Sequence, residues 1–386
     1  MFRFYKLKDY NFKLVLLLVI TGGLGVALVG SADASLRSRQ LLGLVFGLIL
    51  MVVISLMDYS WILNFYWILY IINLALLLVV LVSGNTANGA SRWIQIGGAS
   101  GFAFQPTELA KILLILFFAM YIQKHEQELN TWKVFFKCIV LLLIPLVLVA
   151  RQPDLKNSIT IVLLFCVIMY IGGLSYRIIG RTLLVVIPVF AVALFLITQT
   201  DLPIIDSYQK DRIMTFLDPE NEEYSESSIQ QSNSIMAIGS GQLTGKGLNN
   251  NEVSSANKGN FVAEIQNDFI FAVAGEELGF VGCFFILLLL FLIVLECILT
   301  GRRAKNISGV IICNGVAAVV ALQSFINICV ATGLFPNTGT PLPFISYGLT
   351  SLVSLLIGMG FVLNVGLQNK YYYEGSRYYE NRIDRS

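Results

Sequence analysis

Asp268 stands where a long hydrophilic stretch gives way at once to an apolar one, within Gly259–Gly282 (GNFVAEIQNDFIFAVAGEELGFVG). An ionisable group at a bilayer boundary is costly to place and is therefore a candidate for function. Two roles suit a carboxylate there. It can cap the helix that follows, or it can belong to a functional site. These residues alone leave both open.

Other polar groups are tucked against apolar segments in the same way. Arg92, Trp93, Gln105, Glu108 and Lys111 occupy one loop and the start of the segment after it. Glu108 and Lys111 are three apart and share a helix face. Such a pair neutralises itself inside a membrane, either to fix helix packing or to serve a site. Arg151-Gln152-Pro153-Asp154 makes a second cluster. Pro153 fits a helix start, and Asp154 either charges that start favourably or belongs to a site. The run Gly239–Gly247 (GSGQLTGKG) is not a P-loop, because the spacing fails and no Ser or Thr follows Lys246. A glycine-rich loop with one lysine can still approach an anionic headgroup closely. Gly333–Gly348, which ends in Ser346-Tyr347-Gly348, is uncharged and holds three prolines that prevent regular helix. Irregular backbone at membrane depth must be buried in protein or line a cavity.

The elements that position these groups follow from composition. Hydrophobic residues make up 56% and charged residues 13%, with a mean hydropathy of +0.75. A soluble chain of this length would need about twice that charged fraction. The net charge of +2 is too small to suggest a nucleic-acid partner. All six cysteines lie in apolar runs, so neither an exported disulfide framework nor a Cys/His metal spacing is visible. The single histidine, His125, sits beside Glu126 in a short polar loop and reads as a solvated loop residue.

A membrane span needs about 20 apolar residues, and ten segments qualify: Phe12–Gly30, Gln40–Met57, Trp61–Val82, Glu108–Ile122, Trp132–Ala150, Ser158–Gly173, Ile178–Thr198, Phe269–Leu299, Ile307–Val330 and Ser346–Gln368. The polar, Gly-rich stretch Ser83–Thr107 and the long hydrophilic stretch Gln199–Asn267 read as loops. Ala32-Asp33-Ala34 resembles a signal-peptidase site, but equally strong apolar segments follow, so the first span is expected to be retained. Basic residues orient the bundle. Arg3, Lys6, Lys8, Lys13, Lys124, Lys133, Lys137, Arg177, Arg181, Arg302, Arg303, Lys305 and Lys370 fall on one side, which makes both termini cytoplasmic and turns Gln199–Asn267 outward. A continuous helix from Asp268 to Leu299 would run about 48 Å, against a hydrocarbon core of about 30 Å. Gly275, Gly279 and Gly282 offer places to break it, so Asp268–Gly279 is expected to form a separate half-helix lining a cavity. The expected fold is thus an all-α integral membrane protein forming a single polytopic domain.

Taken together, these stretches resemble the SEDS family (shape, elongation, division and sporulation) of lipid II polymerases, typified by RodA and FtsW. The resemblance is carried by Arg92-Trp93-Ile94 with Gln105-Pro106-Thr107-Glu108, and by Gln152-Pro153-Asp154-Leu155. It continues in Gln231-Ser232 with Gly239–Leu248, in Asp268–Ala272 with Gly275–Gly279, and in Leu342–Gly348. The chain departs from the family pattern at Lys156-Asn157 and at Leu349. Gly245-Lys246-Gly247 leans toward the RodA branch, which serves cell elongation.

The resemblance implies a peptidoglycan glycosyltransferase at the outer face of the bacterial cytoplasmic membrane. Its donor is a lipid-linked glycan whose anomeric carbon bears undecaprenyl diphosphate, and its acceptor is the 4-hydroxyl of the GlcNAc of another lipid II. A base must take the hydroxyl proton, and cations must stabilise the departing diphosphate. The resemblance places Asp268 as the base and carries substrate binding onto Arg92, Trp93, Lys246, Gln152, Asp154 and Ser346, with Glu108 and Lys111 as a cavity pair. Lys111 is also a candidate for the diphosphate. A divalent cation (Mg2+ or Mn2+) can share that role, although no ligand set is visible. On a straight helix Glu277 lies nearly opposite Asp268 and Glu276 well to one side, so no glycosidase-like carboxylate pair forms and a single-base, inverting transfer is expected. The implied partner is a class B penicillin-binding protein. A lipid II flippase and a noncatalytic scaffold are the rival readings. A flippase needs groups reachable from both faces, and a scaffold leaves the setting of Asp268 unexplained.

Overall fold

The computed structural model describes residues 9–83, 85–87, 90–96, 102–152, 154–184, 186, 188, 225–249 and 265–368. The chain runs through α1 (Phe12–Ala32), α2 (Ala34–Leu56), α3 (Tyr59–Leu63) and α4 (Tyr66–Ser83) into three short strands, β1 (Asn85–Ala87), β2 (Ala90–Ile96) and β3 (Phe102–Phe104). It continues through α5 (Pro106–Lys124), α6 (Trp132–Ala150) and α7 (Leu155–Ile171). Then follow α8 (Ser225–Ser240), α9 (Ile270–Arg302), α10 (Ile307–Ala331) and α11 (Leu349–Leu367). The helices α1, α2, α5, α6, α9, α10 and α11 are long and apolar enough to cross a membrane, and α4 and α7 are shorter apolar helices. Of the expected seventh span, residues 178–184, 186 and 188 are described and helical; its remainder, like Pro153 and both charged termini, lies outside the described residues.

Helix starts follow local chemistry. Asn11, Asp33, Asp58, Thr131, Asp154 and Asn306 each accept a backbone N–H of the first turn on a side-chain oxygen, which satisfies donors that the helix itself leaves unpaired. The third span departs from the continuous segment expected, because the chain turns at Asn64–Phe65 between α3 and α4. Two further elements lie where the sequence reads as loop. The strands form an antiparallel sheet in the order β1-β2-β3, pairing Thr86 with Ser91 and Ile94 with Phe104. The other is α8, within the long hydrophilic segment.

The centre of the bundle is α5, α10 and α11, buried on most of their surfaces. α11 lies along α2, where Gly43 faces Leu349, Gly47 faces Leu356, and Gly360 faces the Met51 carbonyl. Small residues at such a seam let the helix axes approach. The outer surface is apolar, including Leu42, Phe46 and Ile49 on α2 and Phe280, Phe284 and Phe291 on α9; in a membrane these side chains meet lipid tails.

The bundle has two differently built ends. At one, Gln368 Nε2 donates to Asp58 Oδ1 at 2.9 Å and to Asn364 Oδ1 at 3.0 Å. There Tyr59 Oη donates to Asn306 Oδ1 at 2.8 Å, and Lys305 Nζ lies 4.8 Å from the centre of the Tyr59 ring. These contacts clamp the α3, α9–α10 and α11 ends together. The other end gathers the α1–α2 junction, the sheet, the starts of α5 and α7, α8, and the irregular segment between α10 and α11.

Candidate active site

The site end is built around a broken helix. Gly279 has φ 66° and ψ −165° inside α9, a conformation open essentially to glycine alone. The break separates a half-helix beginning at Ile270 from the long lipid-facing remainder, at the glycine where the sequence reading ends its half-helix. Residues 270–277 are all buried, as expected for a short helix that is apolar nearly all round.

A broken helix exposes carbonyls on one side of the gap and N–H groups on the other. The Gly-rich loop after α8 satisfies both. Lys246 and Gly247 donate their N–H groups to the carbonyls of Glu276 and Glu277 at 2.9 and 3.0 Å, while Phe280 and Val281 donate theirs to Gln242 and Leu243 at 2.9 and 3.1 Å. The loop is a backbone splint. A Cβ on Gly241 would stand 1.9 Å from the Gly275 carbonyl oxygen, and one on Gly245, at φ 77°, would stand 2.2 Å from that of Glu277. Two carboxylates at the C-terminal end of the half-helix oppose its dipole. Lys246 Nζ meets Glu276 Oε1 at 2.9 Å, and Ser31 Oγ donates to Glu277 Oε1 at 2.5 Å.

Asp268 lies at the other end of this half-helix. The cap position falls on Phe269, which offers no side-chain acceptor, and Asp268 stands one residue before it. Phe269 is buried whereas Asp268 is half-buried. The backbone around Asp268 is fastened to the irregular segment Gly333–Gly348. Tyr347 donates its N–H to the Gln266 carbonyl at 2.9 Å. Asn327 Nδ2 donates to the Asp268 carbonyl at 2.8 Å and to the Thr340 carbonyl at 2.7 Å. That segment is seated in protein: Leu342 N–H donates to Ser346 Oγ at 2.8 Å, and Gln40 Nε2 donates to the Ser346 carbonyl at 3.2 Å.

Beside it runs a buried polar network. Lys111 Nζ meets Glu108 Oε1 at 2.9 Å and Asn157 Oδ1 at 3.0 Å. Asn157 Nδ2 donates to Asp154 Oδ2 at 2.8 Å and Thr107 Oγ1 at 3.1 Å, and Gln105 Nε2 also donates to Asp154 Oδ2, at 3.3 Å. Gln105 N–H donates to Thr350 Oγ1 at 3.2 Å, so α5, α7 and α11 meet here. Lys156 Nζ donates to the Gly339 carbonyl, which joins the network to the segment that holds Asp268. Lys111 lies about 7–8 Å along α5 from Pro106 at 1.5 Å per residue; a lysine at that depth needs its carboxylate.

The expected residues therefore divide. Asp268, Arg92, Trp93 and Lys246 keep exposed surface, and Arg92 Nε donates to the Gln152 carbonyl at 3.3 Å, bringing the two loop clusters together. Gln152, Asp154 and Ser346, expected among the substrate-binding residues, have side chains buried against protein. Gln152 Nε2 donates to the Leu77 carbonyl at 3.0 Å, Asp154 is fully buried and caps α7, and Ser346 Oγ holds the Leu342 N–H. Lys111 is likewise sealed in, with 1% exposure. His125 is not a free loop residue: its ring stacks on Tyr121 with centroids 4.4 Å apart. Asn327 escaped the sequence reading. Its signal was an amide inside an apolar helix, where polar groups must find hydrogen bonds.

Comparison with known proteins gives a consistent picture. The family model of the FtsW, RodA and SpoVE cell cycle proteins matches residues 9–371. The peptidoglycan glycosyltransferase MrdB of Escherichia coli (strain K12) is 32% identical over 359 residues, covering 92% of both chains. The probable peptidoglycan glycosyltransferase FtsW of Wigglesworthia glossinidia brevipalpis is 34% identical over 311 residues, covering 78% of this chain and 76% of that one. Among solved structures, a chain from a peptidoglycan synthase complex that coordinates polymerization and crosslinking superposes with a TM-score of 0.74 at 29% identity, over 92% of this chain and 97% of that one. The rod shape determining protein RodA of Thermus thermophilus superposes with a TM-score of 0.68 at 27% identity, over 94% of this chain and 98% of that one.

Proposed function

The chain belongs to the FtsW, RodA and SpoVE family of cell cycle proteins and is a multi-pass peptidoglycan glycosyltransferase of the bacterial membrane, and on that premise we propose that it polymerises lipid II with Asp268 as general base. The observation that carries the assignment is the setting of Asp268. It is half-buried immediately before a buried half-helix, one residue short of the cap position, with its backbone held from two sides. A base needs such a fixed main chain and an accessible carboxylate.

In the proposed reaction the carboxylate of Asp268 takes the proton of the GlcNAc 4-hydroxyl of one lipid II. The hydroxyl oxygen forms a bond to the anomeric carbon of the other chain. The bond from that carbon to undecaprenyl diphosphate breaks, and the diphosphate leaves with the electron pair. Arg92 and Lys246 are cations of the site end that keep exposed surface and suit the departing charge; Lys111, sealed against Glu108, is assigned to the scaffold with Gln152, Asp154 and Ser346. Trp93, half-exposed on β2 beside Arg92, offers an apolar face for the substrate. Among the described residues no three His, Cys, Asp or Glu side chains group closely enough to hold a metal. A divalent cation acting here would take its ligands largely from the diphosphate itself. The gathering of these groups at one end of the bundle favours a polymerase working from one face over a flippase, which needs both. A class B penicillin-binding protein is the proposed partner, supported by the likeness to a chain of a peptidoglycan synthase complex.

The test uses purified protein with lipid II and follows glycan polymer. Asn replaces Asp without loss of shape but cannot take the proton. Turnover by Asp268→Asn is expected to fall by about 10²–10⁴-fold, with folding and lipid II binding near normal. Near-normal turnover by this variant would remove Asp268 as the base.

A further inference from the structure

We propose that Asn327 is a positioning residue for the glycosyl transfer, a buried amide that sets where Asp268 stands. The proposal rests on Asp268 being the base. Asn327 sits on α10, fully buried, four residues before that helix ends at Ala331. Its Nδ2 group has two hydrogens, and they reach the Asp268 carbonyl at 2.8 Å and the Thr340 carbonyl at 2.7 Å. The two carbonyls belong to different segments, one leading into the half-helix of α9 and the other in the proline-rich segment before α11. Neither segment has regular secondary structure at that point. One rigid amide on a long, buried helix fixes both.

This contact acts on chemistry through geometry. The carbonyl of Asp268 is part of the same residue as its carboxylate, so a shift of that peptide carries the carboxylate with it. Proton transfer needs the base within hydrogen-bond reach of the hydroxyl, and a misplacement of about 1 Å can cost about 10²-fold in rate. The second tie, from Tyr347 N–H to the Gln266 carbonyl, lies two residues upstream. It keeps the turn attached when Asn327 is changed, so the turn is expected to shift rather than detach. The far side of the amide is spare: Asn327 Oδ1 is buried without a hydrogen-bond partner, and the residue is held for its donors.

The experiment compares Asn327→Leu and Asn327→Ser with Asp268→Asn and with Asn364→Leu, measuring turnover and lipid II KM on purified protein alongside thermal unfolding. Asn364 is an equally buried amide, at the opposite end of the bundle, where it holds the Ser55 carbonyl at 2.7 Å; its loss reports the effect of destabilisation alone. Asn327→Leu is expected to lower kcat by about 10- to 100-fold with KM within about threefold. Asn327→Ser, which keeps one donor, is expected to lose less. Asn364→Leu is expected to lower the unfolding temperature comparably and leave kcat near normal. If Asp268→Asn is inactive but Asn327→Leu turns over like Asn364→Leu, the positioning role is overturned while the base assignment stands. A drop confined to KM overturns it equally. If Asp268→Asn retains normal turnover, the base assignment and the positioning role fall together.

Discussion

At the scale of single residues, the buried charges of α5 balance each other and are held by an amide from a neighbouring helix. Glu108 and Lys111 are both nearly fully buried, and Lys111 is held besides by Asn157. Truncating either member leaves an uncompensated charge in a low-dielectric place, which typically costs about 3–5 kcal/mol. Glu108→Ala and Lys111→Ala are each expected to lower the unfolding temperature in detergent markedly and to impair polymerisation. Exchanging the two charges should recover part of the loss, limited by the fixed acceptor that Asn157 presents to Lys111. Wild-type stability in both single variants would show that the pair contributes nothing. Lys246 is a different case. Its partner Glu276 is buried but its own side chain is 25% exposed, so Lys246→Ala, which takes the cation from a buried carboxylate, is expected to lower both the unfolding temperature and turnover of lipid II.

At the scale of elements, the decisive contact is between the broken helix and the loop that bridges its gap. The glycines there are needed for two separate reasons. Gly279 and Gly245 take positive φ, and any Cβ on either would stand within 2.3 Å of backbone atoms across the contact. Gly239→Ala is the informative contrast, because it lies in α8 with nothing within 4 Å of the new methyl. Gly279→Ala and Gly245→Ala are expected to unfold the site end or abolish polymerisation. Gly239→Ala is expected to be neutral or to stabilise by about 0.5–1 kcal/mol, the usual gain of alanine over glycine within a helix. Thermal unfolding and polymer yield on the same preparations decide it, and equal effects in all three would mean that the splint is not needed. The lysine of this loop is flanked by glycines that both take positive φ, 77° at Gly245 and 95° at Gly247, and only Gly245 also lacks room for a Cβ.

At the scale of the molecule, the two ends of the bundle have different compositions. Lys124, Lys133, Lys137, Arg302, Arg303 and Lys305 collect around the end opposite the site, and we propose from the basic-residue rule that this end faces the cytoplasm. Cysteines introduced at Thr244 and at Glu126, both exposed and at opposite ends, are therefore expected to react differently with a membrane-impermeant thiol reagent in intact cells, Thr244 labelling and Glu126 not. Labelling of Glu126 alone would invert the proposed topology. The apolar outer faces of α2 and α9 leave ample surface for a membrane-anchored partner. Purification from native membranes is expected to bring a transpeptidase with the chain, and its repeated absence would count against that partner.

Much of this architecture was legible in the residues alone, because the signals involved are local. Apolar length marks a span, Asn, Asp and Thr mark helix starts, and a hydrophobic run too long for the bilayer must break, as it does at Gly279. The sheet and α8 were not legible, since short strands and a polar helix carry little hydrophobic periodicity. Nor were the pairings that build the site. Asn157 meets Lys111 across 46 residues of chain, Lys246 meets Glu276 across 30, and Asn327 meets the Asp268 carbonyl across 59. No spacing rule reaches across such distances. Asp154 could be read as a cap or as a binding group, and only the packing of α5 and α10 against α7 buried it at the cap position. The type of each polar residue was written in the chain, but whether it faces substrate or another helix was decided when the helices packed.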